Sequence, residues 1–216
     1  MARLEIILQL YLLPYNPKHP VVCFDERPCF LIGNKVKGIK MKKGKPAKEG
    51  YSYSKHGSCC ILASIEPLTG KRIVNVRKQR RKREFAYFFK YLAKHYPEAE
   101  IITVVLDNLN THFFSSFYHT FDAEEAARLA ARFRFVYTPK GASWLNMIEI
   151  EFSALSRQCL NRRISSISEL SKEVFTYFNE RSVKGVKISW QFSCQAARKK
   201  LNRHYVKVNS SNAKFK

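Results

Sequence analysis

Only three aspartates occur among the 216 residues, at positions 25, 107 and 122, and two of them close apolar runs. Ile101 to Leu106 carry no charge before Asp107, and the run PVVCF delivers Asp25 in the same way. An uncharged run of that kind suits a strand buried on both faces of a parallel or mixed sheet. Ligands of such sheets bind just outside the carboxyl ends of the strands. Two strand-end carboxylates therefore invite a divalent-metal reading, against the commoner role of a lone strand-end aspartate as a turn cap. Asp122 reads differently: it precedes AEEAARLAARF as a helix N-cap, with Glu125 as its capping-box partner. A further carboxylate, Glu149, lies in WLNMIEIEFSALSRQCL, where Leu145, Ile148, Phe152, Leu155 and Cys159 keep helical spacing. With Ser143 as the cap, Glu149 is expected one and a half turns into that helix, on a face with Asn146, Ser153 and Ser156, away from the apolar stripe.

The elements that must position these groups are legible in outline. Residues 4 to 13 form an apolar helix stopped by Pro14, and PYNPKHP is a turn-rich link into a first strand at Val21 to Asp25. Residues 33 to 57 hold eight lysines and one glutamate with no period, which predicts a mobile basic loop in which a short hairpin is left open. SCCILASIE and RIVNVRKQ around PLTGK predict a hairpin. In the segment that follows, Phe85, Phe88, Phe89, Leu92 and Tyr96 give a helix one aromatic face, and Pro97 ends it. The Asp107 strand, the Asp122-capped helix, a strand at RFVYTP, the Glu149 helix and a last amphipathic helix from Ser166 complete the order. Glu26 alternates to the face opposite Asp25 and reads as structural. Glu151, about 200° around the helix from Glu149, reads as a surface charge, and Trp144 as core.

Composition sets the class. Apolar residues make up 45%, enough for one core, and 39 Lys plus Arg against 17 Asp plus Glu leave a formal charge of +22. That excess favours a polyanionic partner, nucleic acid before a membrane surface. No run is long and apolar enough to span a bilayer, and no cleavage site follows LEIILQLYLL, so a cytoplasmic, nucleoid-associated protein is expected. The six cysteines form no CxxC pair and read as small core residues rather than zinc ligands or disulfides.

The order of strands and helices is that of a ribonuclease-H-like domain, an α/β fold with a mixed five-stranded sheet flanked by helices. FDE at 24–26, LDNLNTH at 106–112 and YTPKGASWLNMIEIEF at 137–152 resemble the catalytic-domain motifs of mariner-superfamily transposases, the bacterial insertion-sequence branch above all. The likeness runs from about residue 10 to 205 and includes SYSKHG, EPLTGK and SWQF. It implies a linker-helix remnant at 1–19, a DDE catalytic domain at 20–182 and a basic C-terminal extension at 183–216. It implies that Asp25, Asp107 and Glu149 bind two Mg2+ or Mn2+ ions, with Asp25 bridging. Phosphodiester chemistry with two hard cations roughly 3.5–4 Å apart agrees with an all-oxygen donor set. Asn108 and Asn146 are expected to position water or phosphate, and His112 to contact the scissile phosphate or cap the next helix.

The resemblance further implies strand cleavage and strand transfer on double-stranded DNA, transposon ends and target, by a homodimer. Lys40, Lys42, Lys43 and Lys45 in the basic loop, and Arg77, Lys78, Arg80, Arg81, Lys82 and Arg83 in RKQRRKR, are expected to neutralise phosphates without choosing sequence. Members of the family carry an N-terminal helix-turn-helix region, and this chain begins at what resembles the linker after it, so a truncated or split transposase is expected. Forty-one residues separate Asp107 from Glu149, more than in many mariner relatives, with the Asp122 helix filling the difference. The rival readings are a catalytically inactive DNA-binding remnant and another ribonuclease-H-like nuclease.

Overall fold

Five strands form one mixed sheet in the computed structural model: β1 (Val21–Asn34), β2 (Tyr53–Glu66), β3 (Lys71–Arg77), β4 (Ile102–Leu106) and β5 (Phe133–Tyr137), in the order β3-β2-β1-β4-β5. Residues 1–48 and 50–215 are described; Glu49 and Lys216, part of the basic loop and the C-terminal extension, lie outside the described residues. β1, β2 and β3 are antiparallel neighbours, whereas β4 pairs in parallel with both β1 and β5. The helices are α1 (Ala2–Leu10), α2 (Lys82–Lys94), α3 (Ser115–Tyr118), α4 (Ala123–Ala130), α5 (Ile148–Gln158), α6 (Ile167–Val183), α7 (Cys194–Lys200) and α8 (Asn202–Val208). This is the fold class the element order predicts.

Strand alternation divides the core in two. Val22, Phe24, Val104 and Leu106 face α2, where the Phe24 ring lies 5.0 Å from both Phe88 and Phe89. Phe85, Phe88, Phe89 and Leu92 are all buried, as the helical spacing requires. Cys23 and Val105 face the other way, toward Ile148, Phe152 and Leu155 of α5 and Leu170, Val174 and Phe178 of α6. Each large apolar side chain so buried contributes about 1.5–3 kcal/mol. This partition decides which carboxylates share a face.

Several expectations change. β1 does not end at Asp25 but runs on to Asn34, because β2 supplies an unbroken antiparallel partner, from Cys23↔Ile65 to Asn34↔Tyr53 with one register shift between Leu31 and Ile32. In the basic segment the hairpin left open by its sequence is present and longer than a short one: its flanks are strand, and bridges Ile39↔Lys48 and Lys42↔Lys45 continue it as a ribbon. α1 ends at Leu10, and it has a partner. Leu4, Ile7 and Leu8 join the α5 core, while Glu5 accepts from Arg198 at 2.7 and 2.8 Å and from Tyr205 at 2.7 Å. Helix α1 and residues 188–205 thus pack on the core beneath α5 and on each other. The two helices α7 and α8 were not foreseen, although Ser193, whose hydroxyl accepts from Ala196 N at 3.2 Å, is an ordinary cap signal.

Glu151 is the largest misreading. Its side chain is wholly buried and takes paired hydrogen bonds from Arg72 (2.8 and 2.9 Å) and from Arg181 (3.0 Å each). Helical spacing places a residue on a face, but here that face meets β3 and the end of α6 instead of water. Arg72 also donates to the carbonyls of Gly70 (2.5 Å) and Val186 (2.8 Å). Gly70 adopts φ +79°, and a Cβ there would sit 2.7 Å from Val186 O, so the turn into β3 requires glycine. Trp144, expected in the core, is 45% exposed, edge-on to Phe192 at 5.4 Å.

Candidate active site

Asp25 lies within β1, two residues past the last parallel pairing with β4, Cys23↔Val105. Continuing that register sets Asp25 across from Asp107, the first residue after β4. Alternation from Cys23 and Val105 turns both toward the α5 side. Asp107 follows the end of its strand as expected, but Asp25 does not end β1; the end of β4 is what sets the two side by side.

Glu149 reaches the same side by a route the sequence reading missed. No continuous helix starts at Ser143: residues Ser143–Leu145 form a 3-10 turn, Asn146 is extended, and α5 begins at Ile148. The break is held by Asn146, fully buried, whose Nδ2 donates to Phe24 O at 2.8 Å. Glu149 thus stands in the first turn of α5, where the exposed N–H groups favour a carboxylate. Asn146, expected to position water or phosphate, instead ties α5 to β1 beside Asp25.

Charge couples the three carboxylates: Asp107 and Glu149 bear on Asp25, and Asp107 on Glu149. Burial pushes Asp25 up to about 7, and the charges of Asp107 and Glu149 push the same way against the Glu26 N–H, which donates to Asp25 Oδ1 at 2.7 Å. Burial likewise raises Glu149, with Arg27 opposing and Asp107 adding to the rise. Burial pushes Asp107 up as well, but His112, the Leu109 backbone N–H and Arg80 outweigh it and hold the group below its ordinary value.

His112 is buried and out of reach of any phosphate. Its ring stacks on Phe85 at 4.9 Å, its Nδ1 lies 2.5 Å from Asp107 Oδ1 in a close but poorly aligned contact, and its Nε2 lies 3.5 Å from Glu26 Oε1. Burial opposes its charge, but the two carboxylates prevail and raise it to about 9. Neither expected role, phosphate contact or helix cap, survives; His112 positions Asp107. Glu26 is buried on the α2 side, as alternation predicts.

Among the described residues no three His, Cys, Asp or Glu side chains converge tightly enough to hold an ion as they stand. Like charges at close range drive one another apart or take up protons, and Asp107 is turned to His112. The donor chemistry nevertheless fits a hard divalent cation: three carboxylates on one side of the sheet, with Asp107 Oδ1 sealed from solvent and lacking an aligned donor. Asn108 is exposed beside Asp107, in a cleft of about 500 Å3 also lined by Arg3, Thr138, Lys140 and Ser143.

The basic residues occupy two places. Lys40, Lys42, Lys43 and Lys45 stand exposed on the distal ribbon. Arg77 ends β3, Lys78, Arg80 and Arg81 form the link, and Lys82 and Arg83 open α2. Cations at a helix N-terminus oppose its dipole by about 0.3–1 kcal/mol each, so the fold does not ask for them. Of these ten, Arg80 is the one whose charge acts on a site carboxylate. Arg27 was overlooked, although the spacing of two from Asp25 on a strand signals a shared face.

A pH dependence follows. Asp25 has a folded pKa above its unfolded value, so its ionisation costs stability, absent near pH 4 and complete above about 7. His112 is raised too, and its stabilisation, full below about 6.5, is lost as pH rises through about 9. The metal-free protein is expected to melt lower at pH 9 than at pH 6, and Mn2+ to narrow the gap by supplying the missing countercharge. Thermal melts in chelator and in Mn2+ test this; a profile flat or rising over that range counts against it.

The family described as DDE superfamily endonuclease matches residues 20–171. Among solved structures, the Mos1 mariner paired end complex with Mn is similar at a TM-score of 0.56 and 15% identity, covering 85% of this chain and 56% of that one. The Mos1 strand transfer complex gives 0.55 and 15%, covering 85% and 55%. The chain thus spans a little over half the length of these structures. No curated protein matches it by sequence.

Proposed function

The chain belongs to the DDE superfamily endonucleases, and from that membership we propose that it is the catalytic domain of a transposase, cutting DNA strands and joining them to a target with divalent metal. The observation that supports the reading is that Asp25, Asp107 and Glu149 lie on one side of the sheet, with the charges of Asp107 and Glu149 bearing on Asp25 and that of Asp107 on Glu149. Bound there by these three side chains, a pair of Mg2+ or Mn2+ ions would supply Lewis acidity for the attacking and leaving oxygens.

The residues of the chain do the rest. His112 keeps Asp107 ionised and aimed, Asn146 fixes the start of α5 against β1, and the first turn of α5 presents Glu149. DNA is gripped by the cations of the ribbon and of residues 77–83, while Asn108, with Lys140, lines the cleft beside Asp107. Double-stranded transposon ends and target are the substrates and a dimer is the working unit, a reading supported by the paired ends in the complexes of the Mos1 relative. Among the described residues no helix is long and apolar enough to cross a membrane.

Plasmid nicking in Mg2+ or Mn2+, with Asp107→Asn as control, tests the proposal. Equal signal from both proteins would leave a DNA-binding domain without chemistry. The grip has its own test. Each phosphate contact contributes about 0.9 to the slope of log K against log salt. Exchanging Lys78, Arg80 and Arg81 for Gln is expected to flatten that slope by about 2–3 and to weaken binding alike on unrelated sequences. An unchanged slope in fluorescence-anisotropy titrations would remove this segment from the interface.

A further inference from the structure

Arg27 stands two residues beyond Asp25 on β1, opposite Ile61, which belongs to the α5 core. Alternation therefore places it on the side of the three carboxylates. The residue is partly buried; its Nε is sealed from solvent and has no hydrogen-bond partner among the described residues, and no carboxylate there forms an ion pair with it. Arg72 shows the contrast, since its guanidinium is spent on Glu151 and on main-chain carbonyls. A guanidinium is a planar fork of donors matched to two oxygens of one phosphate. Arg27 bears on Glu149 through its charge alone, and a guanidinium with no ion-paired carboxylate beside prospective metal ligands repels the metals unless an anion joins them.

Resting on the DDE reading above, we propose that Arg27 grips the phosphodiester under attack, donating to its non-bridging oxygens between Asp25 and Glu149. It is thus a substrate-touching residue rather than a support for the carboxylates. The two roles move metal affinity in opposite directions. Arg27→Gln is expected to slow single-turnover nicking at saturating Mn2+ about a hundredfold, while Mn2+ affinity in calorimetry stays level or tightens several-fold and the melting temperature holds. Arg27→Lys, keeping the charge without the fork, should recover part of the rate. Two results overturn the inference alone: Arg27→Gln nicking as fast as wild type, or rate, Mn2+ affinity and melting temperature all falling together, which marks a structural role. A wild type that cuts no better than Asp107→Asn overturns the inference and the DDE reading together.

Discussion

Asp25→Asn is expected to lose DNA nicking by about a thousandfold or more, roughly 4 kcal/mol of transition-state stabilisation, and at the same time to gain stability. The two effects share one cause. In the metal-free protein the Asp25 carboxylate is desolvated and faces Asp107 and Glu149, which is why its pKa lies near 7. An amide of the same shape keeps the hydrogen bond from Glu26 N and removes the buried charge. At pH 8 the variant should be more stable by about 1–3 kcal/mol, raising the melting temperature by several degrees in chelator. Such trade-offs are expected where a site is built for charge it does not yet hold. A variant that both stops cutting and melts lower would place Asp25 among the structural residues.

Glu151→Ala should do the reverse, with unfolding as its dominant effect. It leaves Arg72, whose side chain is fully buried, and Arg181 without their shared carboxylate. Breaking a buried ion pair from one side costs about 3–5 kcal/mol, a fall of about 10 °C for a chain of this size. Burial pushes Glu151 up, but the hydrogen bonds from Arg72 and Arg181 prevail and hold its folded pKa below the ordinary value. Its contribution is therefore present above the usual carboxylate range and is lost as pH falls through that lowered pKa. Urea titrations at pH 7 measure the cost. A variant as stable as wild type would mean that water or another acidic group takes over both guanidinium groups.

Asp107 was legible because an uncharged apolar run has one plausible fate, a buried strand, and a carboxylate just after it has one exit; for Asp25 the same run gave the strand but not its end. The aromatic face of α2, Phe85 to Leu92, and the Asp122 and Ser166 caps were legible because 3.6-residue spacing and cap chemistry are local, although the helix stops at Lys94, short of Tyr96. The start of α5 was not. Continuous apolar spacing from Leu145 masks a break that Asn146 makes only by reaching Phe24, 122 positions away in the chain. The length of β1 failed likewise, since residues beyond Asp25 become strand only because β2 lies alongside.

Sequence alone thus determined the fold class, the family resemblance and the identities of the acidic and basic groups, all of which depend on local pattern and composition. Tertiary structure decided the direction each side chain faces and what it meets there. Glu149 and Glu151 are two residues apart on one helix, yet one adjoins the aspartates and the other is locked between two arginines. His112 is shut away behind Asp107, and among the described residues Arg27 has no hydrogen-bond partner for its Nε. The reason is physical: the period of a strand or helix sets relative orientation, but whether a face meets solvent, metal ligands or a counter-ion depends on elements that arrive from far along the chain.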